Sequence, residues 1–185
     1  MAFYSETDVN KMGFKKLGKN VLISKDARIY NTDQIEIGDN SRIDDFCSLS
    51  GSISIGRNVH IASFSLLAGG VPGILIGDFS GCAYGVKIFT QNDNYFGQSL
   101  TGPTIPSRFK LQSMASVTIE ELVVIGTNTT VLPGVIIKEG CSIGAHSLVV
   151  SDTEPWGLYR GNPATFISKN SKNALKMKSE YLKEH

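Results

Sequence analysis

The stretch IEELVVIGTNTTVLPGVIIKEGCSIGAHSLV, residues 119–149, sets Ile119, Ile125, Val131, Ile137, Ile143 and Val149 six residues apart. A fixed period of this kind marks a repeat architecture. The same step runs through Ile37, Ile43, Leu49, Ile55, Ile61 and Leu67, and after a slip through Ile76, Cys82 and Ile88. Fourteen of these fifteen positions are Ile, Leu or Val, types that supply only 44 of the 185 residues, so chance would give about three or four. Four residues after a repeat position the chain carries Ser41, Cys47, Ile53, Val59, Ser65, Ser80, Val86, Val123, Thr129, Val135, Cys141 and Ser147, all small or β-branched. One aliphatic and one compact inward site in every six residues suit a short strand followed by a tight corner, where Gly or Asn adopts the unusual dihedrals. Three such strands close a triangular coil of 18 residues, the spacing from Ile37 to Ile55 and from Ile125 to Ile143. Stacked coils pair at about 4.8 Å, and each needs its neighbours to bury the aliphatic column. The expected fold is all-β, a parallel β-helix.

Composition narrows the function. Eighteen basic and 17 acidic side chains leave a net charge of +1, with no basic cluster longer than a pair. That offers no footprint for nucleic acid and no polybasic membrane anchor. No apolar run approaches the roughly 18 residues of a membrane span, and the charged N-terminal stretch does not read as a signal peptide, so a soluble, cytoplasmic protein is expected. The three cysteines, Cys47, Cys82 and Cys141, fall on inward positions and form no CxxC pattern, so they read as core residues rather than disulfide or metal ligands.

The sequence reads as one domain over 1–185: an N-terminal helical segment (1–16), the β-helix (17–154) with a long loop (89–118), and a C-terminal extension and helix (155–185). Call the three prism faces A, B and C, beginning with Ile37 on A. Backward extension puts Leu17 on A, Ile23 on B and Ile29 on C. The phase slips between 29 and 37, 67 and 76, and 88 and 119, adding two, three and 25 residues, and each slip leaves face C and returns on face A. Insertions sharing one edge of a rigid prism are what a loop-built cleft produces, and the long loop, which shows no periodicity of its own, reads as functional. Ser5 followed by Glu6, Thr7 and Asp8 reads as a helix start. The stripe Ala174, Leu175, Lys178, Tyr181 and Leu182 reads as a terminal helix, expected to cover the open end of the stack.

Val131-Leu-Pro-Gly-Val135, Ile143-Gly-Ala-His-Ser-Leu-Val149 and Tyr159-Arg-Gly-Asn-Pro-Ala164 occur in the order and spacing of the hexapeptide-repeat acyltransferases. Over residues 13 to 169 the chain resembles the bacterial sugar and nucleotide-sugar acetyltransferases of that family, galactoside and maltose acetyltransferases among them. The resemblance implies a left-handed coil, a homotrimer with the active site between subunits, and acetyl-CoA as co-substrate. Residue by residue it makes Gly126, Thr127, Ala145 and Ser151 neighbours of the pantetheine arm, and Arg160 and Lys169 partners of the coenzyme phosphates, since a phosphate attracts a cation. Asn92, Asn94, Tyr95 and Arg108 of the long loop are the expected sugar-binding residues.

One departure bears on the chemistry. The family's O-acetyltransferases carry a general-base histidine early in the long loop, where this chain has Asp93. A carboxylate with a pKa near 4 is a poor base toward a hydroxyl unless burial raises it. Two readings follow. His60, between the inward residues Val59 and Ile61, points outward and can serve as the base across a subunit interface. Alternatively the acceptor is the amine of a nucleotide-linked amino sugar, which Asp93 orients. His60 and Asp93 are therefore the candidate catalytic residues. A non-catalytic scaffold is the rival reading. A zinc site of three converging histidines is disfavoured, because the three present, at 60, 146 and 185, include none in the loop.

Overall fold

The structure, a computed structural model, describes residues 2–185. Three parallel ladders make the walls of a prism. Face A stacks Leu17, Ile37, Ile55, Ile76, Ile119 and Ile137 in register. Face B stacks Ile23, Ile43, Ile61, Cys82, Ile125 and Ile143. Face C stacks Ile29, Leu49, Leu67, Ile88, Val131 and Val149. All fifteen positions of the six-residue series from Ile37 to Val149 are 3% exposed or less, and the compact sites between them are buried as well. The interior is thus a continuous aliphatic column, each rung covered by the next.

The corners explain the residue types that follow each rung. At the corner from A to B, a Cβ on Gly38 would sit 2.6 Å from the backbone nitrogen of Arg57 on the next coil, so the coils close to this spacing only without a side chain there. Two residues on, Asn20, Asn40 and Asn58 take φ of 55° to 57°, a left-handed conformation that Asn tolerates. The cysteines are free and buried, and desolvation pushes the thiols of Cys47 and Cys82 up to about 11 and about 12, which keeps them neutral core residues.

The three slips take different forms. The first is a 3-10 turn, Thr32–Gln34. The second is no loop: the strand Leu66–Ile76 runs unbroken round the edge from face C to face A and pairs with Ser48–Ile55, its extra residues absorbed where Gly51 pairs Gly70 and Ile53 pairs Ile74. The third is an arm whose base is an antiparallel ribbon of Gln91–Asp93 against Gln112–Met114, a ladder the aperiodic sequence did not announce.

Both termini are helical. Helix α1 (Glu6–Asn10) is capped by Ser5, whose Oγ accepts from the Asp8 amide at 3.2 Å, and its Val9 is buried against the first coil. Helix α2 (Asn173–Glu184) is present but does not cover the open end. It lies along the prism, where the Asn58 side-chain amide donates to the Tyr181 hydroxyl at 2.9 Å, the Tyr181 ring meets Phe79 edge-on at 5.6 Å, and Lys178 pairs with Glu121. The end is closed instead by the buried indole of Trp156, packed against Gly140, and by strand Gly157–Arg160, which adds a rung to face B and then pairs antiparallel with Thr165–Lys169. That ribbon occupies the last backbone edge, so α2 is left to pack on the side.

Candidate active site

Two groups of functional side chains emerge on different walls. The first is on the arm. Asn92, Asp93 and Tyr95, with Gly102, Lys110 and Gln112, line a cavity of about 840 Å³ whose floor is Thr130 and Leu132 beside face C. The Asp93 carboxylate accepts from the Gln112 side-chain amide at 2.9 Å and from the Gly102 backbone N–H at 3.0 Å. The Gln112 hydrogen bond foremost, then the Gly102 amide, with Lys110 adding its charge, hold Asp93 below its ordinary pKa against a small opposing effect of burial. Asp93 is therefore a fixed anion at neutral pH, and the elevation that a carboxylate needs to deprotonate an alcohol is absent.

Two of the expected sugar-binding residues stand apart from this cavity. Asn94 turns into its own loop, accepting from the Phe96 amide at 2.9 Å and donating to Gln98 at 3.1 Å. The Arg108 guanidinium lies over the Phe109 ring, 4.6 Å from its centroid.

The second group is on face B. His60 projects outward, its side chain half exposed, and its Nε2 lies 2.8 Å from Oδ2 of Asp44. The other oxygen of Asp44 accepts from Arg42 Nε at 2.6 Å. Asp44 is 2% exposed. Burial acts to raise its pKa, but the hydrogen bonds from Arg42 and His60 and their charges outweigh it, so the carboxyl is held below its ordinary value. Within the chain His60 and Asp93 are not brought together, since one stands on face B and the other on the arm from face C.

Asp44 follows Ser24 in a line along the corner from B to C. The backbone N–H groups of Asp44, Ala62, Ala83 and Gly126 each donate to the inward residue of the following rung, and Gly144 continues the line onto Tyr159. The first position of this corner stays small over four rungs, at Ala62, Ala83, Gly126 and Gly144, while Phe64 and Tyr84 stand exposed further round it. Gly126, Thr127 and Ala145 gather here, with the His146 amide donating to the Thr127 carbonyl at 2.8 Å, and Arg160 follows on the last rung against Gly144. Ser151 lies on the other side, past face C, and Lys169 sits on the outer strand with its ammonium 3.1 Å from the Pro155 carbonyl. His146 occupies a left-handed corner and His185 stacks on Tyr181 at 4.3 Å, so among the described residues no three metal-ligating side chains converge.

Asp44, Lys110 and Gln112 were not picked out from the sequence. Asp44 had a signal, a lone carboxylate in a column otherwise filled by Ser24, Ala62, Ala83, Gly126 and Gly144. Lys110 and Gln112 had none, because only the folded ribbon sets them opposite Asp93.

Known proteins share this architecture. The family model described as bacterial transferase hexapeptide (six repeats) matches residues 34–69 and 116–151. The chain is 39% identical over 184 residues to a dTDP-4-amino-4,6-dideoxy-D-glucose acyltransferase of Escherichia coli, covering 98% of this chain and 95% of that protein. It is 29% identical over 180 residues to the putative lipopolysaccharide biosynthesis O-acetyl transferase WbbJ of Escherichia coli K12, covering 85% and 88%. AntD, an N-acyltransferase from Bacillus cereus solved with dTDP and 3-hydroxybutyryl-CoA, superposes with a TM-score of 0.98 at 40% identity, over 100% of this chain and 98% of that one. An alanine variant of AntD, solved with dTDP-4-amino-4,6-dideoxyglucose and coenzyme A, superposes with the same score. The prism is a left-handed parallel β-helix, and the chain belongs to the bacterial hexapeptide-repeat transferases, among their acyl-CoA-dependent sugar acyltransferases.

Proposed function

We propose that this protein transfers an acyl group from acyl-CoA to the amine of a dTDP-4-amino-4,6-dideoxyhexose. The observation that carries the choice of amine over hydroxyl is Asp93, a carboxylate held ionised on a cavity wall. Such a group attracts and orients an amine or ammonium but is a weak base toward an alcohol. The near full-length relatives named for this sugar point the same way. In this reading Asn92 and Tyr95 bind the sugar beside Asp93, and Asn94 and Arg108 shape the arm that carries them. Gly126, Thr127 and Ala145 line the pantetheine track, while Arg160 and Lys169 meet the coenzyme phosphates.

The active unit is a homotrimer in which the arm of one subunit lies against face B of the next, bringing Asp93 to the His60 of its neighbour. Because the donor is acyl-CoA and the acceptor a nucleotide sugar, the enzyme works in the cytoplasm, upstream of surface-polysaccharide assembly.

The test is thiol release from acetyl-CoA and 3-hydroxybutyryl-CoA with dTDP-amino sugars, other nucleotide amino sugars and plain glycosides. Turnover with the dTDP-amino sugar is expected, and turnover with plain glycosides alone would overturn the amine assignment in favour of O-acetylation. Saturating coenzyme A should also raise the Tm, by about 2.7 kcal/mol of linkage at one hundred times Kd. An inert scaffold would show no shift.

A further inference from the structure

His60 is on the outer surface of face B, and the residue paired with it on the next rung is Gly81. Gly81 has no positive φ, and a Cβ built on it would meet only the His60 carbonyl oxygen, at an ordinary 3.7 Å. The other solenoid glycines either adopt positive φ or press on a neighbouring coil within 3 Å. The backbone therefore does not require glycine at 81, and its missing side chain opens the wall beside the imidazole. The first corner positions beside it, Ala62 and Ala83, are small as well.

The proton on the ring is fixed by its partner. An ionised carboxylate only accepts, so Nε2 of His60 must donate to Asp44, and the neutral ring then carries its lone pair on Nδ1. Nδ1 has no partner among the described residues. Arg42 Nε takes the second oxygen of Asp44, so the carboxylate cannot swing away. The other groups around the pair are Asp45, whose carboxylate accepts from Ser24 Oγ on the preceding coil, and Cys47, whose thiol is neutral.

We propose that Asp44 is the positioning residue for His60: with Arg42 it holds the imidazole in the tautomer that offers Nδ1 as the proton acceptor beside the open site at Gly81. This rests on the acyl-transfer reading above. The acceptor nitrogen bonds to the thioester carbonyl carbon, the C–S bond breaks and the coenzyme thiolate leaves with the electron pair. The proton from the nitrogen passes to Nδ1 and from there to the thiolate, so the ring returns neutral. His60 touches the reacting atoms, whereas Asp44 acts only through it.

The isosteric Asp44→Asn tests this. Arg42 can only donate, so it draws the single amide oxygen, leaving the amide NH₂ to face the ring. Nε2 must then accept, and the proton moves to Nδ1, where the base is silenced. Long-range ¹⁵N–¹H spectra of the three imidazoles, with His60 assigned by its loss in His60→Gln, should show the Nε2–H form in the unaltered protein and the Nδ1–H form in Asp44→Asn. Turnover number should fall about tenfold or more with KM values within about twofold, and Asp44→Asn should add no further loss in a His60→Gln background. An unchanged tautomer, a flipped tautomer at full rate, or additive losses would each overturn the proposal. The spectra need no substrate, and the kinetics use whichever sugar releases thiol, so failure of the dTDP-amino sugar as acceptor counts against the acceptor assignment alone.

Discussion

Gln112 donates its side-chain amide to Asp93 at 2.9 Å across the base of the arm, tying the two strands of the ribbon together at the carboxylate. This bond is the main cause of the lowered Asp93 pKa. Asp93→Asn should cut turnover at least tenfold while size-exclusion chromatography shows an unchanged assembly. In Gln112→Ala the carboxyl returns toward its ordinary value, so on acidification kcat/KM should begin to fall at a higher pH than in the unaltered enzyme. A limb that does not move would separate Asp93 from the rate.

His60→Ala should likewise lower turnover at least tenfold with the fold retained, because the side chain is half exposed and Arg42 still holds the Asp44 carboxylate. Full rate in both His60→Ala and Asp93→Asn would show that the acyl transfer happens elsewhere.

Ile125 is fully buried between Cys82 and Ile143 on face B. Ile125→Ala should cost about 2–5 kcal/mol in denaturant titrations, and Ile125→Asp, which buries an unpaired charge, should yield no folded protein. Soluble, cooperatively unfolding Ile125→Asp would contradict the register.

Gly38 and Gly81 make a matched pair. A methyl group at 38 collides with the next coil, whereas at 81 it finds ordinary contact. Gly38→Ala should lower the Tm by about 4 °C or more, and Gly81→Ala should stay within about 2 °C. Equal losses would mean that the wall at 81 is not open.

Asp44 titrates below its ordinary value when folded. A depressed carboxyl stabilises the fold fully above its unfolded pKa, near 3.8, and the contribution is lost as pH falls through the folded value. Unfolding free energy should therefore decline on acidification below about pH 4, and the decline should be shallower in Asp44→Asn. Identical slopes would show that folding does not lower the Asp44 pKa.

The walls were legible because each rung repeats one demand: an aliphatic inward residue, then a compact one, then a turn former. Every position from Ile37 to Val149 in the six-residue series is buried, with Cys82 alone not Ile, Leu or Val, and a slip by one residue would have turned Ile125 or Val131 to solvent. The arm's ribbon was not legible, since Gln91–Asp93 and Gln112–Met114 are short, mostly polar and separated by a tip whose length hides their pairing. The place of α2 was not legible either. Its stripe told that Tyr181 packs on something, but only the folded coil brings Asn58 and Phe79 to one corner to receive it. Of the site, His60 was readable as outward from its flanking inward residues, whereas its bond to Asp44 needed the stacking of one coil on the next.

The arm leaves face C and returns to face A through an antiparallel ribbon, and the rungs on either side pair as though it were absent, Ile88 with Val131 and Ile76 with Ile119. Acceptor preference can consequently drift, or be engineered, by grafting a different arm onto an unaltered spool. Enzymes of this build could then diversify the sugars they modify without risking the structure that makes them fold.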